Sequence, residues 1–278
     1  MHRLHSALIA AIGAAAILQA ADPNARTPTA PFNVPLWPEG KTPLAKGNGP
    51  LDVPFVTVFL PPPGKGNGTS VVVAPGGGNI MLMYGSEGFE IAERFNDWGA
   101  AAFVLTYRLA PTYGEDARVA DGNRAVRLVR ARAAEWGLDP AKIGFAGFSA
   151  GSHLGRSVVA AASTGETAAA DPIERVSSRP DYLVLVYSAG RPTPGEKLAG
   201  FPPVFLLSAA ADRGAANGTA QLFLELNRAG AVVEAHLYQR GRHGFGAAFG
   251  SPEFHPWMDA LRHFLEQGGF LPKPGGRQ

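Results

Sequence analysis

The chain has no cysteine, which excludes disulfides, a thiolate nucleophile, a cysteine-held zinc ion and a lipidated N-terminal thiol. Charge is sparse as well. Asp, Glu, Lys and Arg make up 17% of the 278 residues and leave a net charge of +2, too little for a charge-rich coiled coil or a disordered polyelectrolyte. The arginines are scattered rather than gathered into a basic stripe with interleaved aromatics, so nucleic acid is not an expected partner. The apolar run at residues 7–18 is twelve residues long, short of the roughly 20 that cross a bilayer and within the roughly 7–15 of a signal-peptide core. With Arg3 before it and Gln19-Ala20-Ala21-Asp22 after it, residues 1–21 read as a signal peptide cleaved after Ala20 or Ala21. The alternative is an uncleaved tether. The expected location is secreted or periplasmic, with no stable membrane association after cleavage.

Apolar residues make up 46%, with 35 glycines and 24 prolines, a composition for a globular chain with many tight loops. Residues 22–54 are rich in Pro, Gly, Asn and Thr without periodicity and read as an N-terminal arm on the surface. A catalytic domain is expected over 55–270 and a short tail over 271–278. Within that domain, short runs rich in Val, Phe, Leu and Tyr at 56–60, 70–74, 101–107, 142–145, 182–187, 204–208 and 232–238 are bounded by Gly or Pro, as buried strands should be. Helical patterns lie between most of them, at 87–98, 117–136, 152–162, 220–229 and 256–267. Strands alternating with helices imply right-handed crossovers. The expected fold is α/β: a mostly parallel sheet of about eight strands, helices on both faces, and no large cap. Ligands of such sheets bind at the carboxyl ends of the strands, so each strand end is where chemistry should be sought.

After the run at 142–145 stands Ala146-Gly147-Phe148-Ser149-Ala150-Gly151, followed by a small-residue helical stretch. Gly147 to Gly151 is a G-x-S-x-G pattern. In a nucleophile elbow the serine occupies a strained strand-to-helix turn, with glycines where a Cβ would collide with neighbouring backbone. The same five residues could also be an ordinary tight turn, so the strand before and the helix after carry the argument.

A serine hydroxyl needs a base to take its proton, and the base needs an acid to orient it. On this kind of sheet the partners follow in the order Ser, acid, His. Of the seven histidines, His2 and His5 fall in the leader, and His153 sits one turn beyond Ser149 on the same helix. His236 lies inside a strand, and His255 and His263 belong to the last helix or its entry. His243 remains, in the glycine-rich loop Arg240-Gly241-Arg242-His243-Gly244-Phe245-Gly246. Among the carboxylates between Ser149 and His243, Asp212 follows a strand end, whereas Glu225 is helical, Glu234 lies in a strand and Glu196 in a loop. The competing reading of Asp212 is a helix N-cap.

The oxyanion of an ester-cleavage intermediate requires preorganised N–H donors, each contributing roughly 3 kcal/mol. Ala150, next to the nucleophile, is one expected donor. Gly77 or Gly78, in the loop Pro75-Gly76-Gly77-Gly78-Asn79 after an early strand, is the other. A phosphate loop is excluded, because no Lys-Ser/Thr follows and the G-x-G-x-x-G spacing is missing. No metal or cofactor is implied.

Together these residues resemble the α/β-hydrolase superfamily, and more narrowly its acetyl xylan esterase and feruloyl esterase-like group. The phrases that carry the likeness are Leu36-Trp37-Pro38-Glu39-Gly40, Pro75-Gly76-Gly77-Gly78, Glu87-Gly88, Val104-Leu105-Thr106-Tyr107-Arg108-Leu109, the segment 124–130 and Gly147-Phe148-Ser149-Ala150-Gly151. The resemblance implies a serine carboxylic-ester hydrolase working through an acyl-enzyme on a small-molecule or carbohydrate ester. Three positions depart from the group's pattern: Asn79 where an aromatic is usual, Ser152 where glycine is common, and Arg213 where a second acid is frequent. The rival readings are a serine peptidase of the same fold and a non-catalytic carbohydrate-binding relative.

Overall fold

A computed structural model describes residues 30–188, 198–248 and 257–273. The expected leader (1–21), the start of the arm and most of the expected tail lie outside these residues. Among these residues eight strands form one sheet in the order β1-β2-β4-β3-β5-β6-β7-β8. They are β1 (Phe32–Pro35), β2 (Phe55–Phe59), β3 (Ser70–Ala74), β4 (Ala101–Thr106), β5 (Ile143–Phe148), β6 (Tyr182–Val186), β7 (Val204–Ala209) and β8 (Val233–Tyr238). The β1–β2 and β2–β4 pairings are antiparallel and all others are parallel. The seven expected strands correspond to β2 through β8. The arm, expected to be without regular structure, supplies the eighth. Its four residues, Phe-Asn-Val-Pro, are too few to display a period of two.

Side chains alternate between two cores, as the pleat requires. Along β3, Val72 and Ala74 join the core capped by α2 (Glu115–Ala131), α3 (Ala150–Ala160) and most of α4 (Arg213–Arg228). Val71 and Val73 join the opposite core, covered by α1 (Glu90–Asp97) and α5 (Trp257–Gln267). The central strands β3, β5, β6 and β7 are buried at every position. Among the described residues no segment forms a separate cap.

Helix boundaries differ from expectation for local reasons. The 87–98 pattern divides into a π-helical turn, Gly85–Phe89, and α1. The 117–136 pattern ends as α2 at Ala131, followed by a 3-10 turn, Ala133–Trp136, closed by Gly137 at φ 65°. α4 starts at Arg213 rather than 220. Its first turns carry two glycines and no apolar stripe, so periodicity does not reveal them.

Two buried arginines pin the arm to the sheet. Arg124 donates to the Leu36 carbonyl (2.7 Å) and pairs with Asp171 (2.6 Å) and Glu174 (2.7 Å). Arg108 donates to the Pro43 carbonyl at 2.6 Å and pairs with Asp121 at 2.6 Å, both side chains being almost wholly buried. The Trp37 ring lies under both guanidinium groups, at 5.7 Å and 5.6 Å. Burial pushes the Asp121 carboxyl up, against the opposing pull of Arg108, so Arg108 is what keeps that group tolerable in the interior. Removing one partner of a buried pair strands the other. Arg108→Met should therefore lower the unfolding free energy by about 3–5 kcal/mol, and adding Asp121→Asn should return part of it. Arg132→Ala, which breaks the exposed pair with Glu135, should change it by about 1 kcal/mol or less. Urea unfolding of the variants checks the ranking.

Candidate active site

Consecutive parallel strands each present a chemically distinct group at their carboxyl ends. β3 runs into the Pro75-Gly76-Gly77-Gly78 loop, β5 into Ser149, β6 into Tyr187, β7 into Asp212 and β8 into the His243 loop.

Ser149 joins β5 to α3 at φ 52°, ψ −112°, a backbone region that non-glycine residues rarely occupy. The flanking glycines explain why the turn is this tight. A Cβ on Gly147 would lie 2.1 Å from the Gly151 carbonyl oxygen, and one on Gly151 would lie 2.0 Å from that of Ala74. Ser152, the residue that departs from the group's glycine, ties the turn down: its buried hydroxyl stands 2.7 Å from the Gly147 carbonyl and 2.8 Å from that of Val186.

The three residues expected to work together are brought together. Ser149 Oγ lies 2.7 Å from His243 Nε2, and His243 Nδ1 lies 2.6 Å from Asp212 Oδ2. The competing reading of Asp212 is also realised, on its other oxygen. Oδ1 accepts the Ala215 N–H at 3.4 Å and caps α4, which fixes the carboxylate while Oδ2 faces the imidazole. His236 pairs with Glu234 on β8, while His153 and His263 lie on α3 and α5. His2, His5 and His255 lie outside the described residues.

The glycine loop folds back as a tight turn in which the Ile80 and Met81 N–H groups donate to the Gly77 carbonyl. The Gly76 N–H is consumed, donating to Glu87 Oε2 at 2.7 Å. That leaves Gly77 and Gly78 as the loop's candidate donors, beside the N–H of Ala150, which opens α3 and has no intrahelical acceptor. Met81 and Met83 are exposed, whereas Leu82 and Tyr84 line a cavity of about 230 Å³ with Leu51, Val53, Tyr107 and Leu109. Two groups to which sequence reading gave no role at the site stand beneath it: Glu87, 2% exposed, and Tyr187, fully buried. Burial first, and the Glu87 charge second, push the Tyr187 phenol well above its ordinary value, so it keeps its proton and donates to Glu87 Oε1 at 2.5 Å. Their sequence signals are slight: Tyr187 ends an apolar run, and Glu87 stands in the Glu87-Gly88 phrase of the family likeness.

The BD-FAE family model matches residues 56–180. An acetylxylan esterase from Xylanibacter ruminicola is 32% identical over 212 residues, 68% of this chain and 43% of that protein. The acetyl ester-xyloside bifunctional hydrolase of Caldicellulosiruptor lactoaceticus superposes with a TM-score of 0.79 at 29% identity, covering 86% of this chain and 97% of that one. This chain belongs to the α/β-hydrolase superfamily. Within it, the likeness is to the acetyl xylan esterase and feruloyl esterase-like group. The esterase Est2 of Thermogutta terrifontis shares the fold of this α/β-hydrolase at a TM-score of 0.67 and 25% identity, over 81% of this chain and 91% of that one. The chain spans less than half the length of the curated relatives it matches, 43% of the esterase and 35% of an endo-1,4-beta-xylanase B from Butyrivibrio fibrisolvens.

The strain at Ser149 has a measurable consequence. Glycine adopts a positive φ readily and alanine does not, so Ser149→Gly should be more stable than Ser149→Ala by about 1 kcal/mol, in thermal or urea unfolding. Gly151→Ala should lose at least about 1–3 kcal/mol from the enforced shift of α3.

Proposed function

We propose that this α/β-hydrolase is a serine carboxylic-ester hydrolase that removes short acyl groups from carbohydrate esters of the xylan type. The observation that carries the reading is the continuous hydrogen-bonded line from Ser149 through His243 to Asp212 at the carboxyl rim of the sheet.

In this reading Ser149 Oγ attacks the ester carbonyl carbon as His243 Nε2 takes its proton. Asp212 holds the imidazole with Nδ1 protonated, so that Nε2 is the basic nitrogen, and stabilises the cation that forms. The carbonyl oxygen becomes an oxyanion held by the N–H of Ala150 and by that of Gly77 or Gly78. Collapse breaks the bond to the alcohol oxygen, which leaves with the proton from His243. Water then loses a proton to the same nitrogen and attacks the acyl carbon; collapse breaks the bond to Ser149 Oγ, which takes that proton back from His243 as the acid leaves. No metal ion or cofactor takes part in these steps.

Three considerations support the carbohydrate ester. The relatives above include proteins named for acetylxylan and acetyl ester-xyloside hydrolysis. His243 is half-exposed, so a bulky alcohol can approach it. Among the described residues nothing covers the rim as a lipase cap would. The same reading makes the chain an exported protein, since its substrate lies outside the cell.

Purified protein should hydrolyse a short nitrophenyl ester and release acetate from acetylated xylan. Ser149→Ala should lose at least about 10³-fold in kcat, and Asp212→Asn about 10³–10⁴-fold. Equal turnover by Ser149→Ala would reject the nucleophile. Peptide cleavage without ester cleavage would favour a peptidase, and binding of xylan without any turnover would favour a non-catalytic carbohydrate-binding protein.

A further inference from the structure

Glu87 and Tyr187 take no part in the steps above, yet their side chains connect the two loops that those steps require. Glu87 sits in the π-helical turn Gly85–Phe89, which residues 79–84 separate from the glycine loop. Its carboxylate uses both oxygens. Oε2 accepts the Gly76 N–H at 2.7 Å and Oε1 accepts the Tyr187 O–H at 2.5 Å. The Tyr187 oxygen in turn accepts the Gly246 N–H at 3.2 Å, three residues beyond His243. The Tyr187 ring packs against the His243 ring, with centroids 4.9 Å apart, and meets Phe245 edge-on at 4.9 Å and 80°. Tyr187 holds this place at φ 38°, a strained backbone for a bulky residue. Two further bonds seat the same loop: Trp257 Nε1 donates to the Gly246 carbonyl at 3.2 Å, and the Ala247 N–H donates to the Ser86 carbonyl at 3.0 Å.

Among the described residues Glu87 forms no ion pair. A buried carboxylate satisfied by neutral donors alone is a poor way to stabilise a fold, because the desolvation of the anion is only partly offset. It is a good way to fix geometry, since an ionised carboxylate offers acceptors on both sides at a set separation and can donate to none.

We propose that Glu87 and Tyr187 are positioning residues that clamp the oxyanion loop to the His243 loop, so that the donors of Gly77 or Gly78 and the imidazole face the same substrate carbonyl. The proposal rests on the serine-hydrolase reading given above. Neither residue touches the reacting atoms. Glu87 acts on the oxyanion side by holding Gly76, and on the base side through Tyr187 and Gly246. Glutamine at position 87 would keep an acceptor for Gly76 but turn a donor toward Tyr187, leaving the phenol proton without its acceptor. Phenylalanine at 187 would keep the ring packing and remove the link.

The test compares wild type, Glu87→Gln, Tyr187→Phe and the double variant on a short nitrophenyl ester, with hydrogen exchange read by mass spectrometry on the same samples. Each single variant is expected to lose about 10–100-fold in kcat with KM changed by less than about threefold. The double variant should lose no more than the worse single one, because one linkage is broken only once. In both single variants, exchange should rise together in peptides covering residues 76–79 and 243–247. If Glu87→Gln does not fold, Tyr187→Phe alone carries the test, since it too must loosen both loops and lower kcat. The clamp is overturned if kcat stays within twofold of wild type, if the two losses multiply in the double variant, or if only one of the two loops exchanges faster. Wild type without ester turnover would refute the hydrolase reading instead. The exchange pattern would still decide whether the two loops are coupled.

Discussion

Backbone approaches backbone so closely around residues 147–151 that neither flanking position has room for a side-chain carbon, and the candidate active site follows from that contact. With α3 pressed onto the end of β3, the chain has to turn through a left-handed conformation at Ser149. A turn of that shape projects the hydroxyl above the strand ends, free of the helix it precedes. A residue in such a conformation costs of order 1–3 kcal/mol and persists because its surroundings over-determine it. Here the surroundings are four neighbouring strands buried at every position and the Ser152 hydroxyl, which sits against the Gly147 carbonyl of the turn and the Val186 carbonyl at the end of β6.

The sheet divides into two halves with different tasks. Parallel strands β3, β5, β6, β7 and β8 bring the candidate catalytic groups to one rim, because parallel connections all start from the same edge. The antiparallel pair β1 and β2 completes the sheet on the other side. There the arm is fastened by Arg108 and Arg124, with Trp37 beneath both guanidinium groups. From this fastened segment, Leu51 and Val53 line the cavity beside Leu82 and Tyr84. An element that looks peripheral in chain order is therefore continuous with the neighbourhood of the site.

Strands β2 through β8 were legible because each is a short run of apolar residues closed by glycine or proline, and full burial leaves little room for polar residues within such a run. β1 was not, since its half-exposed four residues bury too little to leave a pattern. The early turns of α4 were hidden for a related reason: Arg213, Gly214 and Gly218 interrupt any stripe, and the helix is started by its Asp212 cap. At the site, Ser149, Asp212 and His243 could be picked out because chain order and strand ends limit the choices to very few residues. For Asp212 the acid and the helix cap stood as rival readings in the sequence, and the folded carboxylate makes both contacts, capping α4 through one oxygen and facing the His243 imidazole with the other. The roles of Glu87 and Tyr187 were out of reach, because apart from each other their partners are the backbone N–H groups of Gly76 and Gly246. Backbone donors carry no residue signature, and only the folded chain reveals where they point.

The central claim is that Ser149 alone is made nucleophilic, by an imidazole 2.7 Å away. The most direct measurement is covalent labelling with an organophosphate ester, followed by intact mass and peptide mapping. The account predicts one adduct per chain, on the peptide containing Ser149, absent from Ser149→Ala and formed far more slowly by His243→Ala. No adduct on wild type, an adduct on another serine, or a rate indifferent to the loss of His243 would contradict it.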